Sequence, residues 1–197
     1  MLFGNNTNTL DNATAILNEL NIEMELSASL KTLAAADARY LRDLKINITN
    51  ALNAESLGKK DAYLIGLSIA ANEKVEPLQK AFEALALQSG ATDKEVAEVI
   101  SCTSLMNANN VYYRFRHFMN EEFYNTAQAG IRMSIMAAPV VGKELFELVS
   151  LVVSAVNGCE MCVTSHEKAL IGHGTPKQRI HDAVRLGAVV KSLAVLL

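Results

Sequence analysis

The chain has 197 residues and half of them are hydrophobic, so it is long enough to bury a sizeable core in one globular domain. Its net charge of −3 gives no electrostatic reason to expect a nucleic acid or an anionic membrane as a partner. Three cysteines are too few for a disulfide scaffold, and the N-terminal residues do not resemble a signal peptide. The apolar runs are too short to span a bilayer, so we expect a cytoplasmic protein.

The first half of the chain reads as a series of helices. Residues 4–9 are polar, and residues 1–9 are expected to form a frayed lead-in to a single domain that covers residues 1–197. Apolar periodicity and helix-breaking residues predict helices over residues 11–20, 30–53, 63–71 and 77–87. Thr92 and Glu95 then form a predicted capping box, which opens a further helix.

That further helix contains Cys102 and leads into an aromatic segment. Cys102 has no second thiol or histidine near it in sequence, and it is expected to lie in the core. Residues 107–119 interleave Arg114, Arg116 and His117 with tyrosines and phenylalanines, a pattern that can stack on bases. The acidic balance of the chain favours another interpretation, in which the aromatic rings anchor the core or an oligomer contact and the cations stay solvated.

A second apolar helix is predicted to start at Lys143. It is apolar nearly all round except for Glu147, Ser150 and Ser154, which recur at helical spacing and form a polar stripe leading to Asn157. A carboxylate in such a helix is costly unless it has a partner. Because perturbed acids cluster at functional sites, Glu147 is a candidate functional residue.

Cys159 and Cys162 follow, with His166 four residues after the second thiol. On a helix these three side chains share one face, and the helix dipole near its N-terminus favours a thiolate. Redox chemistry is the first interpretation, with His166 able to accept the proton of Cys162. A zinc site is the second, because His173 would complete four ligands. On a continuous helix, however, His173 would lie about three turns from Cys162, so we expect no bound metal.

The two halves of the chain show the same order of elements. Residues 61–107 and residues 143–193 each contain a buried helix, a second helix, a glycine and a threonine start signal before a third helix. This order pairs Thr92 with Thr175. The pattern predicts an all-α, multi-helix fold with an internal duplicated helical unit, in which only the second copy carries the two thiols.

The residues Glu147, Cys159, Cys162 and His166 resemble, in type and spacing, the active-site motif of the alkylhydroperoxidase D (AhpD) family. That family is part of the carboxymuconolactone decarboxylase-like superfamily. Similar stretches cover most of the chain, at residues 43–47, 109–114, 131–133, 146–148 and 154–159. The resemblance implies an AhpD-like helical fold, commonly a homotrimer, that acts as an antioxidant peroxidase and dithiol electron carrier.

The resemblance also implies roles for individual residues. The thiol matching Cys162 is oxidised by an alkyl hydroperoxide to a sulfenic acid, the thiol matching Cys159 closes the redox disulfide, and Glu147 and His166 match a proton relay. The implied reductant is dihydrolipoamide on the lipoyl-bearing component of a 2-oxoacid dehydrogenase, with no bound cofactor, and an AhpC-type peroxiredoxin is the implied partner. The chain departs from the family at Met161, where well-known members have a histidine.

Two other functions fit parts of the same pattern. A carboxymuconolactone decarboxylase-like enzyme without a redox role would not need Cys159. A zinc-stabilised helical module would use the thiols as ligands and not as reactants.

Overall fold

The computed structural model describes residues 6–197, and within that range the chain forms only helices and their connections. This confirms the all-α prediction. The α-helices are α1 (Asn6–Glu19), α2 (Ala28–Ala35), α3 (Tyr40–Leu52), α4 (Lys59–Glu73), α5 (Glu76–Gln88), α6 (Asp93–Met119), α7 (Glu122–Thr126), α8 (Lys143–Val156), α9 (Glu160–Gly172) and α10 (Lys177–Ala194). A short 3₁₀ helix, Ser134–Met136, lies between α7 and α8.

The first helix begins earlier than predicted. Helix α1 begins at Asn6, so residues 6–9 are helical and not frayed, whereas residues 1–5 of that prediction lie outside the described part of the chain. Thr9 is buried, and its hydroxyl donates to the carboxylate of Asp37 in the connection between α2 and α3. This contact holds the first turns of α1 against the rest of the molecule.

One helix predicted over residues 30–53 is in fact two. Asp37 lies between α2 and α3 with a φ of 50°, a left-handed conformation that ends a right-handed helix. Asp tolerates this conformation better than most residues, and the apolar period resumes after the break. Periodicity alone therefore joined two helices that the backbone separates.

Helices α4 and α8 form the centre of the core. The side chains of α4 from Ala62 to Ala70 are nearly all buried, and so are those of α8 from Leu145 to Ser154. Helices α6 and α10 each pack against both of them. Such all-round burial explains why α4 and α8 lack the solvated polar face that is typical of a surface helix.

The backbone confirms the predicted duplication and fixes its register at 84 residues. Gly58 and Gly142 both precede a core helix with nearly equal dihedral angles, φ 73° and ψ 159° against φ 83° and ψ 155°. Gly90 and Gly174 both adopt a positive φ before α6 and α10. The repeated unit is therefore α4–α5–α6 in the first half and α8–α9–α10 in the second.

Side-chain contacts follow the same register. The Lys60 ammonium contacts the Glu95 carboxylate at 2.9 Å, and at the matching positions the Glu144 carboxylate accepts a hydrogen bond from Arg179 at 2.9 Å. The charges are exchanged between the two positions, but each ion pair ties the first helix of its unit to the third. The two copies thus keep an ion pair at the same place although the residues that form it differ.

The predicted pairing of Thr92 with Thr175 was wrong by one residue. Thr92 forms the predicted capping box with Glu95, but the residue that matches it 84 positions later is Pro176. Proline occupies the cap position of α10, and the buried hydroxyl of Thr175 has no hydrogen-bond partner among the described residues. The wrong register arises because Thr175, a residue type that favours the N-cap position, comes directly before Pro176.

No helix within residues 6–197 is both long enough and apolar enough to cross a membrane.

Candidate active site

The two thiols of the motif lie at the junction of α8 and α9. Helix α8 ends in a Schellman motif, in which Cys159 N–H donates to Ser154 O at 3.0 Å and Gly158 N–H donates to Ala155 O at 3.1 Å. Gly158 adopts a φ of 70°, as this motif requires. Asn157 is therefore the C-cap of α8 and does not cap α9, whose N-cap is Cys159.

Cys159 and Cys162 are joined by a disulfide, with their Cα atoms 5.3 Å apart. Cys162 is the third residue of α9, within the turn whose free N–H groups favour an anion. The two thiols differ in access, since Cys159 is 0% exposed and Cys162 is 6% exposed. Any group that reaches the pair from solvent meets Cys162 first.

Glu147 and His166 form a direct pair beside the thiols. His166 Nδ1 lies 2.6 Å from Glu147 Oε2, which joins α8 to α9, and both side chains are largely shielded from water. A hydrogen bond at Nδ1 fixes the orientation of the ring and leaves Nε2 as the nitrogen for proton exchange. The pair can thus hold or release a proton one helical turn from Cys162.

A pocket of about 330 Å³ gives access to Cys162 and His166. Most of its other lining is apolar or aromatic and comes from separate segments: Met161 and Ser165 from α9, Asn109 and Tyr113 from α6, and Met133 and Met136 from the segment before α8. Cys159 does not line it. The pocket is large enough for a small organic molecule whose polar end faces the thiol.

A network of asparagine side chains stabilises the junction of α8 and α9. Asn157 Nδ2 donates to Asn110 Oδ1 at 3.0 Å, and Asn110 Nδ2 donates to Ser154 Oγ at 2.8 Å. Asn72 Nδ2 donates to Asn157 Oδ1 at 3.0 Å, and Arg114 Nη1 donates to Asn157 O at 2.5 Å. These contacts satisfy polar groups near the end of α8 and fix the turn that carries the thiols.

The polar stripe predicted on α8 is real, and its members have different partners. Glu147 contacts His166 and Ser154 belongs to the asparagine network, whereas Ser150 Oγ lies 3.3 Å from Cys102 Sγ. Cys102 is buried in the core, as predicted. Burial raises the pKa of its thiol to about 12, so this cysteine stays protonated and unreactive at neutral pH.

His173 lies apart from the thiols. His173 is the exposed C-cap of α9, whereas Cys162 is in the first turn of that helix. Most of the length of α9 therefore lies between the two residues. His173 lines a different pocket of about 260 Å³ together with Lys143 and Glu147. In the part of the chain that the structure describes, no three His, Cys, Asp or Glu side chains are grouped so that they could hold a metal ion.

The residues that surround the motif were not predictable from the sequence. Asn72, Asn110 and Arg114 reach the junction from other helices, and Asn109, Met133 and Met136 form the wall of the pocket opposite α9. The only signal in the sequence was the family-like character of stretches 109–114 and 131–133. Spacing could not show that these stretches face the thiols.

Comparison with known proteins shows the family to which the chain is similar. The model of the Carboxymuconolactone decarboxylase family matches residues 124–196, the part that holds all four motif residues. The alkyl hydroperoxide reductase AhpD of Beijerinckia indica is 39% identical over 158 residues, which cover 80% of this chain and 87% of the relative.

Two further relatives carry the same name. The alkyl hydroperoxide reductase AhpD of Anaeromyxobacter dehalogenans is 37% identical over 86% of this chain and 91% of its own length. The one from Rhizorhabdus wittichii is 37% identical over 85% of this chain and 96% of its own length. Because this similarity runs through nearly the whole of both chains, the protein belongs to the AhpD family of alkyl hydroperoxide reductases, within the carboxymuconolactone decarboxylase-like superfamily.

Proposed function

We propose that this protein is an antioxidant dithiol peroxidase and electron carrier that reduces alkyl hydroperoxides through the Cys159–Cys162 pair. The observation that carries the proposal is the joint position of Cys162 and His166 in one pocket, with Glu147 holding the histidine at 2.6 Å. A thiol at a helix N-terminus next to an oriented proton acceptor has the features of an activated nucleophile.

Cys162 is the proposed attacking thiol and Cys159 the resolving one. The Cys162 thiolate bonds to the terminal oxygen of the hydroperoxide, the O–O bond breaks, and the products are a sulfenic acid and an alcohol. Cys159 then attacks the sulfenic sulfur, and the disulfide forms with loss of water. Support comes from access: Cys162 lines the pocket, whereas Cys159 is fully buried behind it.

The proposed proton relay consists of Glu147 and His166. His166 accepts the proton of the Cys162 thiol before attack and returns it to the departing alkoxide, while Glu147 stabilises the imidazolium formed in between. Met161 lines the pocket and is 38% exposed, and its thioether cannot carry a proton. The histidine that well-known members have at this position is therefore not required for the relay proposed here.

The disulfide is proposed to be reduced by dihydrolipoamide, without a bound cofactor. A dithiol reductant would attack Cys162, the more accessible sulfur, and close its own ring as it leaves. On this account the physiological donor is a lipoyl-bearing component of a 2-oxoacid dehydrogenase. The reduced pair would in turn pass electrons to an oxidised AhpC-type peroxiredoxin, in the cytoplasm.

We further propose that the chain folds as a single domain and assembles as a homotrimer. The C-terminal half of α6 and the adjoining α7 expose large apolar side chains, among them Val111, Phe118 and Phe123, with Phe118 73% exposed. An apolar surface of this kind is typical of a protein–protein interface. It supports the interpretation of residues 107–119 as an oligomer contact.

The division of labour between the thiols can be tested with two serine variants. We expect Cys162→Ser to lose dihydrolipoamide-dependent turnover of an alkyl hydroperoxide and to form no sulfenic acid. Cys159→Ser should also lose turnover but should accumulate a sulfenic acid at Cys162, trapped by dimedone and located by mass spectrometry. Full turnover by Cys162→Ser would contradict the proposal.

The same variants separate the two rival functions. A decarboxylase-like enzyme without a redox role would keep its activity when Cys159 is replaced by serine. A zinc-stabilised module would purify with about one zinc ion per chain and would unfold when a chelator is added, as metal-dependent domains do.

A further inference from the structure

The amide of Asn109 is poorly satisfied for a group so deeply buried. The side chain is 5% exposed and lines the pocket beside Cys162. Its Nδ2 donates only to the thioether of Met133, at 3.3 Å, and its Oδ1 has no hydrogen-bond partner among the described residues. A thioether sulfur is a weak acceptor, so the amide is desolvated without full compensation.

The position of this amide is nonetheless well fixed. Asn109 lies on α6 next to Asn110, which the asparagine network anchors to Ser154 and Asn157. Exchanging the two ends of the amide would not satisfy it, because a thioether sulfur cannot donate to the oxygen. Buried polar groups without good partners are rare in native proteins, and one that lines a pocket is available to hydrogen-bond a ligand there.

The chemistry proposed for the pocket lacks one component. When the O–O bond of a hydroperoxide breaks, negative charge develops on the oxygen that bears the alkyl group. Among the residues that the structure describes, no lysine or arginine lines the pocket. His166 serves the proton relay, and the other polar side chains of the wall are Asn109, Ser165 and Tyr113. Of these, Asn109 is the buried one and its N–H donor contacts only a weak acceptor, whereas Ser165 is exposed and Tyr113 is half-buried.

We infer that Asn109 is a further catalytic residue, whose amide N–H stabilises the departing oxygen of an organic hydroperoxide. The inference rests on the proposed peroxidase function and extends it. On substrate entry the Met133 side chain gives up its contact with the amide, and the alkyl group packs among Met133, Met136 and Tyr113. A preformed donor acts on the developing charge without reorganising.

The step balances without another reactant. The Cys162 thiolate forms an S–O bond with the terminal oxygen, and the electron pair of the O–O bond moves to the alkyl-bearing oxygen. Asn109 N–H donates to that oxygen as its charge develops, and the His166 imidazolium supplies the proton that makes it an alcohol. The amide itself is neither protonated nor consumed.

The test compares two oxidants that differ in leaving group. The reduced protein is mixed with tert-butyl hydroperoxide, which releases an alkoxide, or with peracetic acid, which releases a much less basic carboxylate. The rate ratio of the two reactions does not depend on how much thiolate is present, because the same thiolate attacks both. We expect Asn109→Leu to lower the ratio of the tert-butyl hydroperoxide rate to the peracetic acid rate by about 100-fold, as loss of an oxyanion donor does.

Two more variants keep the result interpretable. Asn109→Asp preserves the shape of the side chain and removes the donor, so the ratio should fall in this variant too, even if leucine disturbs folding. Asn50→Leu makes the same change at an exposed position of α3 and should leave the ratio at the wild-type value. A wild-type ratio in folded Asn109→Leu or Asn109→Asp would overturn the inference alone, whereas a wild-type protein unreactive to tert-butyl hydroperoxide would overturn the proposed peroxidase function with it.

Discussion

At the scale of single residues, the site depends on the contact between Glu147 and His166. A carboxylate within a largely apolar helix is costly unless a partner offsets the cost, and the imidazole at 2.6 Å is that partner. The contact also selects the orientation of the ring, so that its other nitrogen is available on the pocket side. One interaction thus stabilises the carboxylate and orients the imidazole.

Glu147→Gln should slow oxidation of the reduced thiols by an alkyl hydroperoxide by about 10-fold to 100-fold. A glutamine can still hydrogen-bond the ring, but it cannot stabilise the imidazolium that forms when His166 takes the thiol proton. The rate of disulfide formation, followed by loss of free thiols under stopped flow, measures the effect.

Glu144→Gln is the matched control for this variant. Glu144 lies on the same helix but contacts Arg179 and does not line the pocket that contains Cys162. The control should oxidise at the wild-type rate. Equal rates for Glu147→Gln and Glu144→Gln would show that Glu147 does not take part in the relay.

The sequence was sufficient to find the motif residues but not their surroundings. Cys159, Cys162 and His166 were recognisable because three- and four-residue spacing brings side chains together on one helix. Glu147 was recognisable because it interrupts an apolar pattern. Asn109 and Met133 could not be found in this way, since their position at the pocket depends on how α6 and the segment before α8 pack against α9.

At the scale of helices, the two repeated units differ most at the site. The positions that match Glu147 and His166 are Tyr63 and Phe82, whose rings pack with centroids 6.4 Å apart. Val75 takes the place of Cys159, with φ −93° and ψ 93° against φ −98° and ψ 93°. The first unit therefore has the same backbone geometry with apolar side chains, which indicates that the scaffold does not depend on the reactive residues.

Close packing of the second unit leads to a prediction about Gly187. A Cβ on this residue of α10 would lie 2.3 Å from Cγ1 of Val152 on α8, and valine cannot easily turn aside because its χ1 is restricted. We expect Gly187→Ala to lower the free energy of unfolding by about 1–2 kcal/mol, since overpacking outweighs the gain in helix propensity. Urea denaturation followed by circular dichroism measures it.

Gly172→Ala is the control for that substitution. It adds the same methyl group to α9 at a place where nothing lies within 4 Å, so stability should stay equal or increase. Replacing Val152 by alanine in the Gly187→Ala background should relieve the steric conflict, and the two effects should then be non-additive. A Gly187→Ala protein as stable as the wild type would contradict the packing account.

At the scale of the whole molecule, the helical class, the buried helices and the duplication were predictable from the sequence. The register of the duplication was not predictable, because Thr175 is a typical N-cap residue type but the N-cap of α10 is the next residue, Pro176. The break at Asp37 was also hidden, since apolar periodicity continues across it. In both cases a local backbone conformation decided the outcome, and the hydrophobic pattern carries no information about such conformations.

The central claim is that Cys159 and Cys162 form one redox unit from which Cys102 is excluded. Burial holds the pKa of the Cys102 thiol at about 12, so it should not react in the folded protein. The most direct measurement is a titration of thiols in the reduced, folded protein before peroxide, after peroxide and after dihydrolipoamide. We predict that two thiols per chain are lost with tert-butyl hydroperoxide and recovered with dihydrolipoamide, and that a third becomes reactive only on unfolding. A pair that survives peroxide, or a disulfide that dihydrolipoamide does not reduce, would contradict the account.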